Sequence, residues 1–127
     1  MTEKGWRVTC IGLGIAGLLL SRHYSGPGAD YFHSYGANLT FSFASYFLLR
    51  LLDLPPKGNR YAAAAYSLLG VSLQEIAQAL GFYPGVFDPL DFLFNAAGVS
   101  LALGLATTRQ RISKKGALQT EALRSDR

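Results

Sequence analysis

Charged residues occur at only a few places along this 127-residue chain, and they mark off four apolar segments. The first runs from Val8 to Ser21, between Arg7 and Arg22. The second runs from Ser34 to Leu49. The third runs from Tyr61 to Phe82 with Glu75 as its one charge, and the fourth from Phe92 to Thr108. A bilayer core of roughly 30 Å takes about 20 mostly apolar helical residues. The third and fourth segments meet that length, and the second does so with residues 31–33 included. The first is short, and leans on Trp6 and Tyr24 at the interfaces and on snorkelling by Arg7 and Arg22. A soluble four-helix bundle would carry a polar stripe on each helix. The run AAAAYSLLGVSL, residues 62–73, has no charge on any face. Only 16% of the chain is charged, against about 25% in an average soluble domain.

The expectation is an all-α, four-helix transmembrane bundle with spans at about 6–24, 33–52, 61–82 and 89–108, followed by a loose basic cytoplasmic tail over 109–127. The bases set its orientation. Lys4 and Arg7 precede the first span, and Arg50, Lys57 and Arg60 lie between the second and third. Arg109, Arg111, Lys114, Lys115, Arg124 and Arg127 follow the fourth. Arg22 alone falls in the first connection and none falls in the third. Eleven bases on one side against one on the other place both termini in the cytoplasm. The net charge of +4 therefore reads as a topology signal and not as a nucleic-acid face. The expected partners are membrane lipids, with the tail drawn to anionic headgroups.

The first segment also has the basic start and apolar stretch of a signal peptide. Ser21, Arg22, His23 and Tyr24 give no small-x-small cleavage site, which favours an uncleaved anchor. Residues 12–17 match the dinucleotide-binding pattern G-x-G-x-x-G, with Asp30 further on. No alternation of strand and helix follows, so Gly12, Gly14, Ala16 and Gly17 read instead as small residues that let helices approach. The lone Cys10 excludes an internal disulfide. No ligand pair has a metal-site spacing and no cofactor is expected. Asp88-Pro89 reads as an N-cap and first helical residue.

Polar groups inside a membrane segment are costly, so each asks for a partner. Glu75 and Gln78 share one face of the third helix, and Asp91 and Asn95 one face of the fourth. His33 and Asn38 stand near the same end of the second helix. One outward-facing ligand-binding pocket is expected, walled by Glu75, Gln78, Asp91, Asn95, His33 and Asn38. Asp91 also reads as an N3 acid facing the helix dipole, and the two asparagines as interhelical partners.

At these residues the chain resembles the VanZ-like family of small bacterial membrane proteins. The resemblance rests on Asp30 and His33, then Glu75 and Gln78, then Pro84-Gly85, then Asp91, Asn95 and Gly98, across residues 30–102. Where the family has Lys and Arg, this chain has Tyr31 and Val86, so no base stands there for a phosphate or carboxylate ligand. A later family glycine is Ala102. The resemblance implies the bacterial cytoplasmic membrane and, by the family's name, antibiotic resistance in the cell envelope.

Three functions are open. A non-catalytic envelope protein would bind a lipid headgroup, an envelope precursor or a glycopeptide-like ligand. A proton- or cation-coupled transporter would work as a homo-oligomer. An intramembrane enzyme would use Glu75 or Asp91 as general base with His33 as partner. The first is preferred, because no nucleophile or metal motif has confirming context.

Overall fold

The computed structural model describes residues 1–82 and 84–125, and over them the chain is all-helical. Tyr83, expected in a turn, and Arg127, counted among the bases, lie outside the described residues. Helix α1 spans Glu3–His23, capped by the Thr2 hydroxyl, which accepts from the Gly5 N–H at 3.1 Å. Helix α2 (Ala29–Tyr31), a π turn (Phe32–Gly36) and α3 (Ala37–Leu52) follow one another without interruption. Helix α4 spans Arg60–Ala79 with Asn59 as N-cap, and α5 spans Pro89–Ser125. The dinucleotide-like glycines lie inside α1, with no strand before them.

Helix α3 is the centre of the bundle and packs against α1, α4 and α5. Two close approaches fix it. A Cβ added to Gly14 would lie 2.7 Å from Ala44 Cβ, and one at Gly17 would lie 2.7 Å from Thr40 Cγ2. A Cβ at Gly98 of α5 would collide with Ser42 Oγ and the Leu39 carbonyl. Small residues thus let backbones meet, as in membrane helix packing. Gly12 and Ala16 take no part: Gly12 faces open space and both are exposed.

The helices alternate in direction, so that charges separate to one end. Arg7 Nη1 donates to the Arg50 carbonyl at 2.6 Å, and Arg60 Nη1 donates to Gln110 Oε1 at 2.6 Å. Arg109 pairs with Glu3 at 3.1 Å. Tyr35, Asp88 and Asp91 gather at the opposite end. An apolar core of Cys10, Tyr46, Phe47, Ala63, Val99 and Ala102 lies between, with Tyr46 and Phe47 edge to face at 5.2 Å.

Large apolar side chains face outward along the helices, and several polar side chains are buried between them. Leu13, Leu20, Leu69 and Leu93 are 62%, 72%, 58% and 62% exposed, whereas Ser42, Ser67 and Asn95 are 0%, 2% and 2% exposed. Water would disfavour that arrangement, because apolar surface gains by leaving water and buried polar groups lose by it. Among the described residues, α5 is the helix long and apolar enough to cross a membrane by length and composition.

Two boundaries depart from expectation. The third segment ends as regular helix at Ala79 and not at Phe82, because Gly81 adopts a left-handed φ of 77°. The tail from Arg109, expected to be loose, continues α5 as helix to Ser125. Its run of Arg, Gln, Lys, Ala, Leu and Glu has high helix propensity and no proline. Its first residues, from Arg109 to Lys114, border the bundle, and residues 111–125 are all exposed.

Candidate functional site

The site is built on two rungs between α3 and α5. Asn38 Nδ2 donates to Asp91 Oδ1 at 2.5 Å, and the Tyr35 hydroxyl donates to Asp88 Oδ2 at 2.7 Å. Both members of the second pair lie three residues before those of the first, so the two helices run parallel here in a fixed register. The start of α5 sets Asp88 in place. Its Oδ1 accepts the Leu90 N–H at 3.0 Å, as an N-cap does, with Pro89 as the first helical residue. The Tyr35 hydroxyl and then the Leu90 N–H hold the Asp88 carboxyl below its ordinary value, because both favour the ionised form.

Helix α4 brings the third wall. The Glu75 carboxyl lies alongside the Asp91 carboxyl and the Asn95 amide. Glu75, Asp91 and Asn95 are 4%, 8% and 2% exposed. Asp91 is therefore more than a first-turn acid, since its side chain accepts from Asn38 and lies beside Glu75. Glu75 Oε2 and Asn95 Oδ1 are buried without a hydrogen-bond partner. Both are acceptors, so the cluster has unspent capacity for a donor.

Four of the six expected residues thus converge: Glu75, Asp91, Asn95 and Asn38. Gln78 lies one turn beyond Glu75 and packs on the α4–α5 connection instead. A Cβ at Gly85 would be 2.5 Å from Gln78 Nε2, and Gly85 has a φ of 153° that favours glycine. His33 stands apart. It is exposed, and its Nε2 donates to the Tyr24 carbonyl at 2.7 Å. The π turn carries it toward the α1–α2 connection, so it partners neither carboxyl. Tyr35, which was not among the expected residues, joins the site, and the signal for it is that it precedes Asn38 by one turn just as Asp88 precedes Asp91.

A single open polar pocket was expected, and the structure divides it in two. The polar cluster lies between α3, α4 and α5, and Glu75, Asp91, Asn95 and Asn38 are absent from the lining of the open cavity. The open cavity, about 1040 Å³, lies on the α1 side and is lined by Tyr24, Tyr31, Phe32, Tyr35, Leu90 and Phe94 among others. Tyr35 stacks on Phe94 at 4.7 Å and on Tyr31 at 6.0 Å, which makes that cavity's wall aromatic. Among the described residues, no group of three or more His, Cys, Asp and Glu side chains comes together as a metal-ligand set.

No protein-family model matches the chain, and no curated protein or solved structure matches it.

Proposed function

We propose that this chain is a VanZ-like, multi-pass protein of the bacterial cytoplasmic membrane, and that the Glu75–Asp91–Asn95–Asn38 cluster binds an ammonium group presented from the outer side. The ligand is a lipid headgroup, an envelope precursor or a glycopeptide-like molecule. Lengths support four crossings. At about 1.5 Å per residue, the 21 residues of α1 reach about 31 Å, and the 20 of α4 reach about 30 Å. The joined 3, 5 and 16 residues of α2, the π turn and α3 reach about 36 Å. Asp88 and Arg109 are about 31 Å apart along α5, close to the hydrocarbon thickness. The arginine end then faces the cytoplasm and the Asp88 end faces outward.

The observation that carries the binding reading is the pair of buried, unpartnered acceptors, Glu75 Oε2 and Asn95 Oδ1, beside a second carboxylate. An ammonium supplies donors and positive charge together, which satisfies both atoms at once. Native mass spectrometry of the detergent-purified protein tests this with phosphatidylethanolamine against phosphatidylcholine, whose quaternary nitrogen has no N–H. The wild type should retain phosphatidylethanolamine preferentially. Glu75→Gln and Asp91→Asn should lose the preference while unfolding at nearly the wild-type temperature. Equal retention of both lipids by all three proteins would overturn the reading.

The contact between Glu75 and Asp91 favours a second reading, a proton- or cation-coupled transporter. Neighbouring carboxyls inside a membrane protein can hand a proton from one to the other. Proton flux into proteoliposomes that Glu75→Gln abolishes would select this reading over static binding.

A further inference from the structure

The arginine end holds a second pocket, of about 330 Å³, lined by Arg7, Arg50, Arg60, Arg109 and Lys114 with Trp6 and Gln110. Its volume is at the lower end of the range of about 300–1,000 Å³ typical of ligand sites. Four of its cations come from four different helices, α1, α3, α4 and α5, so the bundle itself assembles them. Among the described residues, Glu3 is the one acid lining it, and Glu3 is already paired with Arg109 at 3.1 Å. The remaining positive charge has no counterpart in the pocket.

The arginines are fixed in place with donors to spare. Arg7 gives one N–H to the Arg50 carbonyl, and Arg50 gives one to the Gly58 carbonyl at 2.8 Å. Arg60 holds Gln110 Oε1 and, at 3.3 Å, the Tyr61 hydroxyl. Arg109 lies over the Trp6 ring at 4.7 Å. Each guanidinium carries five N–H donors in a planar fork, so most remain for a ligand.

Of the pocket's lining residues, Trp6 has its Nε1 buried without a partner, and in the adjoining core the Tyr46 hydroxyl is likewise unpartnered. Tyr46 is fully buried, and its hydroxyl sits in the field of Arg50, Arg60 and Arg7. The polarity is thus opposite at the two ends: unspent acceptors beside Glu75, unspent donors here.

We infer that this pocket is a binding site for a phosphate group, held by the guanidinium forks of Arg7, Arg50 and Arg60 and by Lys114. Planar forks match phosphate oxygens in pairs, and a half-buried pocket screens that attraction less than open water does. The phosphate comes either from an anionic phospholipid headgroup of the cytoplasmic leaflet or from a soluble phosphate compound. Basic pockets between helices on the cytoplasmic side take lipid headgroups in this way. Only the lipid source rests on the membrane reading, and nothing here depends on the acid cluster.

Calorimetric titration of the full chain in a neutral detergent tests the site with three probes: dioctanoyl phosphatidic acid, dioctanoyl phosphatidylcholine and inorganic phosphate. Phosphatidic acid should bind and weaken with added sodium chloride, while phosphatidylcholine should not bind. Competition by inorganic phosphate at millimolar concentration assigns the site to phosphate in general. Its absence assigns the site to the lipid. Lys114 makes no hydrogen bond among the described residues, so Lys114→Glu should leave the fold intact and weaken binding roughly tenfold or more. Arg60→Lys, which keeps charge but loses the fork, should weaken it less than Arg60→Gln. Affinity for phosphatidic acid and inorganic phosphate no higher than for phosphatidylcholine would overturn the inference. So would binding unchanged by Lys114→Glu and Arg60→Gln together.

Discussion

Asn38 and Asp91 face each other across the α3–α5 interface at 2.5 Å, and Tyr35 and Asp88 repeat the pairing one turn toward the helix starts. The register of the two parallel helices is therefore written in hydrogen bonds at one end and in the Gly98 contact with Ser42 and Leu39 farther along. Glu75 reaches this interface from α4, which ties a third helix to it.

Removing the Asn38 donor leaves the buried Asp91 carboxylate short of a partner. Asn38→Leu should destabilise the protein by about 1–3 kcal/mol or more, read as a lower unfolding temperature in detergent. The double variant Asn38→Leu, Asp91→Leu should recover part of the loss, because no acceptor is then stranded. A double variant that loses the sum of the two single effects would show the pair to be uncoupled.

Gly98 has no room for a methyl group, whereas Gly104 on the same helix has open space around its Cα. Gly98→Ala should cost about 1–3 kcal/mol through overpacking. Gly104→Ala should be neutral or stabilise by up to about 1 kcal/mol, from helix propensity. Thermal unfolding of the two variants side by side checks both signs.

Asp88 adds stability that depends on pH. Its folded-state carboxyl titrates below its ordinary value because Tyr35 and the Leu90 N–H bond the charged form. The contribution is complete above the unfolded value of about 3.9 and is lost as pH falls through the lower folded value. Unfolding temperatures recorded from pH 6 down to pH 3 should fall less steeply for Asp88→Asn and for Tyr35→Phe than for the wild type. Identical profiles would contradict the Tyr35–Asp88 bond.

The Asp88 end of the bundle is legible in the sequence because hydropathy and spacing act locally. Four apolar segments, the Asp88-Pro89 start and the shared faces of Glu75 with Gln78 and Asp91 with Asn95 all follow from neighbours along one helix. What joins helices was less legible. Spacing on α3 places Asn38 and His33 at one end, but the π turn decides that Asn38 meets Asp91 while His33 turns to Tyr24. Gly14 and Gly17 contact α3 and Gly12 does not, a distinction set by the rotation of α1 that a glycine count does not carry. Helix propensity runs on past Arg109, and polarity alone does not end a helix. The count of bases at the arginine end carries topology and nothing of their geometry. Their convergence in one pocket depends on how four helix ends meet.

On the proposed reading, lipid surrounds this bundle, with Asp88 and Asp91 at its outer end and the arginines at its inner end. Single cysteines introduced by Ser25→Cys and by Lys57→Cys in a Cys10→Ala background test it in intact cells with a membrane-impermeant maleimide. Ser25→Cys should label in intact cells, and Lys57→Cys only after permeabilisation. Labelling of Lys57→Cys in intact cells, or recovery of the protein in the soluble fraction, would contradict it.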